Sequence, residues 1–155
     1  MNAFELGNPV FRAYVVAAGL LVLKLMSMSW LTVVRMMRVN GGFRNPEDTR
    51  KSPFNPNPSP TQTAPNDYVE RVRRIHLNDL ENIPAFLAAG LIYVATGPRP
   101  AVASALFYGY VATRLGHFAA YLTARSHEAR AAWWTAGALI VMFMAAASIC
   151  HAIAA

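Results

Sequence analysis

The chain has 155 residues, 55% of them hydrophobic and 14% charged, with a formal net charge of +6. Soluble domains carry about 25% charged residues, and the longest polar stretch here is about 40 residues, so no separate soluble domain is left over. The basic excess shows no aromatic–basic interleaving outside the apolar blocks, which argues against nucleic acid, and Cys150 is the lone cysteine, which excludes an intrachain disulfide.

The first apolar block, residues 13–34, holds one charge, Lys24. It exceeds the roughly 20 residues that an α-helix needs to cross the hydrocarbon core. It is also longer than the roughly 7–15 residues of a signal-peptide core. The block predicts a membrane helix over about 11–38, ended by Asn40-Gly41-Gly42 with glycine as the cap. FRNPED follows, in which Asn45 can cap and Pro46 suits the first position of a short helical turn. Six prolines between residues 46 and 65 predict a mobile loop without regular structure over about 45–66.

Helix 2 is expected over about 67–96, opening on a capping-box pattern of Asp67 and Glu70 and ending at Thr96-Gly97-Pro98. Its first half is polar. The block 101–123 holds Arg114 and His117 and predicts helix 3; residues 131–155 hold no formal charge and predict helix 4 over about 130–153. The expected architecture is all-α, one domain over 1–155, a bundle of four transmembrane helices. Eight Lys and Arg lie between Arg35 and Arg74, and Arg125 and Arg130 lie after helix 3, against Arg12 and Arg99 on the other side. The positive-inside rule makes loops 1 and 3 cytoplasmic.

Charges near the bilayer centre cost about 2.5–3.5 kcal/mol each on insertion scales, so those present should pair. Counted from the outer helix ends at about 1.5 Å per residue, Lys24, Asp79, Glu81 and Arg114 lie within about 9 Å of one level. They predict an ion-pair layer joining helices 1, 2 and 3. Two polar stripes remain: Arg71, Arg74, Asn78 and Glu81 on helix 2, and Arg114, His117 and Tyr121 on helix 3. Both run toward the cytoplasmic mouth and suggest a polar cleft, since intramembrane ionisable groups mark functional sites. Several cations, a carboxylate, an amide and a phenol suit a small molecule with two anionic groups and one amine. Glutathione has that pattern, and arginine forks match its carboxylates. No glycine-rich phosphate loop is present. His76, His117, His127 and His151 include no closely spaced pair, so no metal is expected.

FRNPED, VERVRRIHLNDLENI and the TGP turn closely resemble the membrane-associated proteins in eicosanoid and glutathione metabolism, and within them the microsomal glutathione transferase branch. The likeness covers roughly residues 8–140, and the VERVRRIHLNDLEN string is highly specific. It implies a homotrimer with glutathione as co-substrate, bound between subunits on the cytoplasmic side. Carried over by position, it implies that Arg74, His76, Asn78 and Glu81 on helix 2 contact glutathione. It implies the same for Arg114, His117 and Tyr121 on helix 3, for Arg130 at the start of helix 4, and for an arginine near the end of helix 1. Arg35 and Arg38 both compete for that last role. The start, GNPVFRAYVVAAGLLVLK, resembles insect members. That points to the endoplasmic-reticulum membrane, with a bacterial inner membrane as the alternative.

The resemblance gives Arg130 the task of stabilising the thiolate, with Tyr121 as the alternative donor to sulfur. Bringing a thiol from a pKa of about 8.5 to about 6.5 takes about 2.7 kcal/mol. One charge-assisted hydrogen bond in a poorly hydrated cleft supplies that much. The thiolate would attack hydrophobic electrophiles drawn from the bilayer, or reduce lipid hydroperoxides. The prostaglandin E synthase branch differs by an arginine at Leu77 and a serine at Ala131, which argues against a dedicated isomerase. A non-catalytic lipid-binding scaffold and a small ion-conducting oligomer are the readings from other classes.

Overall fold

Asn8 and Pro9 start the first helix. The Asn8 side chain accepts from the Val10 amide at 2.9 Å, and Pro9 sits where a missing N–H costs nothing. In a computed structural model that describes residues 2–155, α1 spans Pro9–Val39, α2 Asp67–Ala95, α3 Pro100–Leu122 and α4 His127–Ala154. No β-strand occurs among the described residues. α1 and α4 each pack against both α2 and α3. The cap of α1 is Asn40 rather than glycine: at φ 43° it takes the left-handed conformation, and its amide reaches the Met36 and Met37 carbonyls. Gly42, at φ +72°, then lets the loop pass Val69 of α2, where an added Cβ would lie 3.1 Å from the Val69 side chain.

The loop between α1 and α2 has more structure than its prolines predict. Single turns of 3-10 helix form at Pro46–Thr49 and Pro60–Thr63. Asn55 and Gln62 are buried and exchange amide hydrogen bonds of 2.8 and 3.0 Å. A backbone bond of 2.9 Å from Phe43 to Gln62 ties the loop to its own start. The expected capping box at Asp67 and Glu70 is not formed. Asn66 caps α2 through Tyr68 N at 3.0 Å, and Glu70 takes Arg44 at 2.9 Å and Arg73 at 2.5 Å instead. A capping box does form at Ser59 and Gln62.

Two apolar clusters fill the bundle. The larger contains Tyr14, Leu21, Ile83, Phe86, Phe107 and Tyr110; Phe86 and Tyr110 stack with centroids 4.3 Å apart. The Tyr14 and Tyr110 hydroxyls donate to the Leu87 and Asn82 carbonyls, on either side of Pro84. The smaller cluster joins Met28, Val72 and Ile75.

A further layer is ionic. Asp79, fully buried, accepts from Lys24 on one oxygen and from Arg114 on the other at 2.8 Å. Glu81 is not part of this layer; it is exposed and forms no ion pair among the described residues. Two residues along a helix turn the side chain by roughly 200°, so Asp79 and Glu81 cannot both face the core, whatever their depth.

The exterior is apolar: Leu23, Trp30, Met142 and Ile153 are 64–82% exposed. α1 and α4 are long and apolar enough to cross a membrane. α2 and α3, expected to do the same, are not among the helices that are; the first half of α2 is heavily charged.

Candidate functional site

The ion layer opens sideways into a polar seam between α2, α3 and α4. Arg114, 1% exposed, uses Nη2 to reach Asn78 Oδ1 at 2.7 Å and Asp79 Oδ1 at 2.8 Å. Its Nη2 also lies 3.5 Å from Nδ1 of the buried His117. One helical turn on, the Tyr121 ring is 5.6 Å from the His117 ring. The Arg130 guanidinium stands 4.5 Å over the Tyr121 ring. Arg71 of α2 donates to the Tyr121 carbonyl at 3.3 Å, fixing the α2–α3 distance at this level.

Between these side chains is a cavity of about 470 Å³, lined by Asn78, His117, Tyr121 and Arg130 among others. That volume is in the range of small-molecule sites. Arg114 holds Asn78 and approaches His117, two of the lining residues, and the buried group of Lys24, Asp79 and Arg114 carries a formal excess of one positive charge. Arg130 Nε is buried and has no hydrogen-bond partner, and the same holds for Arg114 Nε. Arg35 Nε, away from this cavity, is unpartnered as well. An unpaired buried donor costs roughly 1–3 kcal/mol, and of the three only Arg130 lines the cavity, where its Nε is a candidate donor to an acceptor placed there.

Not every expected site residue reaches this cavity. Arg74 and His76 line a second hollow of about 330 Å³, with Arg44, Glu70 and Arg73. Glu81 is exposed. Arg35 is buried, donating to the Tyr68 carbonyl at 2.6 Å with its guanidinium 4.0 Å over the Tyr68 ring. Arg38 is exposed and donates to the Tyr68 hydroxyl at 3.3 Å. Within one chain the expected residues therefore fall into separate groups. Conversely, His127, Trp134 and Thr135 line the main cavity and were not expected there. Their spacing from Arg130, three residues before and four and five after, puts them on one broad face of α4.

Four packed helices, two of them long and apolar enough to cross a membrane, carry a ligand-sized hollow beside Arg130 at one end of the bundle. The sequence pattern of the MAPEG family matches residues 14–150, and the chain belongs to that family. It is 38% identical to human microsomal glutathione S-transferase 1 over 138 residues, covering 89% of this chain and 88% of the relative. The pig microsomal glutathione S-transferase 1 is 40% identical over 75% of this chain and 74% of its own length. Human prostaglandin E synthase is 31% identical over 78% of this chain and 76% of its own.

Proposed function

We propose that this chain is a membrane-bound glutathione transferase, in which the thiol of glutathione ionises beside Arg130 and attacks hydrophobic electrophiles delivered by the bilayer. The observation that carries the reading is the placement of Arg130. Its guanidinium rests on Tyr121 with Nε unpartnered, at a cavity shared with His117 and Asn78. The glutathione transferases among the relatives support the same assignment.

Arg114, which holds the lining residue Asn78, adds positive charge that attracts the carboxylates, and Arg130 supplies a charge-assisted donor to sulfur. The thiol proton leaves to water. The thiolate electron pair forms the new C–S bond as the leaving group departs from the electrophile with its own pair. The same nucleophile suits reduction of lipid hydroperoxides, with two glutathiones oxidised to the disulfide per hydroperoxide reduced to alcohol and water.

The separate groups of site residues support a trimer in which glutathione bridges subunits. Arg74, His76, Glu81 and one of Arg35 and Arg38 then complete a site that no single chain closes. On this reading all four helices cross the membrane, α2 and α3 shielding their charges inside the bundle, with loops 1 and 3 cytoplasmic in the endoplasmic reticulum. Glutathione-dependent prostaglandin isomerisation is the second reading, supported by likeness to human prostaglandin E synthase. Ala131, which lines the cavity without a hydroxyl, favours the transferase.

Arg130→Ala tests the assignment. The ultraviolet signature of the glutathione thiolate should vanish and kcat/KM should fall by about 10²–10³, the usual effect of losing one preorganised donor, with the fold intact. An undiminished thiolate signal would refute it.

A further inference from the structure

We propose that the crevice between the Asn40 end of α1 and the loop is a second binding site, for a phospholipid with a zwitterionic phosphocholine headgroup. The crevice has a volume of about 630 Å³ and shares no lining residue with the Arg130 cavity. Trp30 and Met37 of α1 form one wall; Phe54, Glu47, Asp48 and Arg50 of the loop form the other. Asn55, locked by its paired bonds to Gln62, also lines it, so the loop wall is held by internal structure.

Two features select the occupant. The first is an exposed apolar line on α1 that runs into the crevice: Leu23, Met26, Trp30 and Met37 are 58–73% exposed and share one helix face. From Leu23 to Met37 it extends about 21 Å at 1.5 Å per residue, the scale of an acyl chain. A soluble ligand leaves this line unused. The second is the charge pattern at its end. Among the described residues none of Glu47, Asp48 and Arg50 forms an ion pair. The faces of Trp30 and Phe54, respectively 73% and 83% exposed, suit a quaternary ammonium. The two carboxylates add attraction for that cation, and the Arg50 fork matches a phosphate. An anionic headgroup meets two carboxylates against one arginine. A purely cationic amphiphile leaves the arginine unmatched. A zwitterion satisfies both signs, and tryptophan belongs at the depth where headgroups meet chains.

The test uses the full-length protein in detergent with equal amounts of phosphatidylcholine and phosphatidylglycerol, bound lipid being read by native mass spectrometry. The wild type should retain phosphatidylcholine over phosphatidylglycerol by about tenfold, an affinity difference of about 1.4 kcal/mol. Glu47→Gln with Asp48→Asn should bring that ratio close to one without lowering Tm, and Trp30→Leu should lower phosphatidylcholine retention while keeping the apolar wall. Equal retention of the two lipids by the wild type overturns the proposal. So does a preference unchanged in both variants, or displacement of the lipid by soluble phosphocholine at equal concentration.

Discussion

Asp79 and Glu81, two residues apart, should behave as opposites. Asp79 is the single anion between Lys24 and Arg114, all three buried or nearly so. Asp79→Asn leaves both cations uncompensated and should cost about 3–5 kcal/mol of stability, read as a large fall in Tm or loss of folded protein. Glu81→Gln should leave Tm unchanged, because Glu81 touches none of these groups, but weaken glutathione binding about tenfold, the scale of one charge-assisted hydrogen bond. A Tm loss in Glu81→Gln as large as in Asp79→Asn contradicts this division. Tyr121→Phe separates two roles. If the ring serves to support Arg130, most of the thiolate signal survives; a loss as deep as in Arg130→Ala transfers the task to the phenol. The grouping of Arg114, His117 and Tyr121 was legible from spacing alone. Glu81 was misplaced in the ion layer because residue counting gives depth but not direction around the helix. His127 was weighed only as a metal ligand, because a lone histidine at a helix start carries no pattern of its own.

The seam between α3 and α4 depends on close approach. A Cβ added at Gly116 would lie 2.5 Å from the Trp133 ring, so Gly116→Ala should push the helices apart at about 1–3 kcal/mol. Because Arg130 lies one turn before Trp133, the variant should also lose thiolate formation. Unchanged Tm and activity would show that the contact is slack. In the long loop, Asn55→Ala removes both bonds between Asn55 and the buried Gln62 amide, leaving Gln62 only its bonds to Ser59 N and Asn57 O. The loop should then be cut faster by protease while the Tm of the bundle holds. Removal of residues 53–63 takes out both partners together and should leave transferase activity largely intact. Helix existence and order followed from the apolar blocks, and ends from local chemistry. α4 begins at His127, earlier than its apolar block suggests, because Ser126 caps it through Ala129 N at 3.3 Å. The fixed Asn55–Gln62 pair was not legible, since prolines mark where helix is impossible without saying what forms instead.

For the whole molecule, the separation of the expected site residues within one chain is the main observation. Arg74 and His76 line a different hollow from Arg130, and Glu81 is exposed. These residues serve one ligand only if a neighbouring subunit brings them together, and a trimer is the assembly proposed. Family and helix count could be read from the motif and the apolar blocks, but a relation between subunits has no periodicity within a single sequence. The most direct measurement is equilibrium binding of glutathione to the detergent-solubilised protein, with thiolate absorbance followed in the same titration and repeated with Arg130→Ala. The account predicts saturable binding with thiolate appearing at neutral pH in the wild type, and binding without ionisation in the variant. Absence of binding, or a thiol that stays protonated in the wild-type complex, would contradict it.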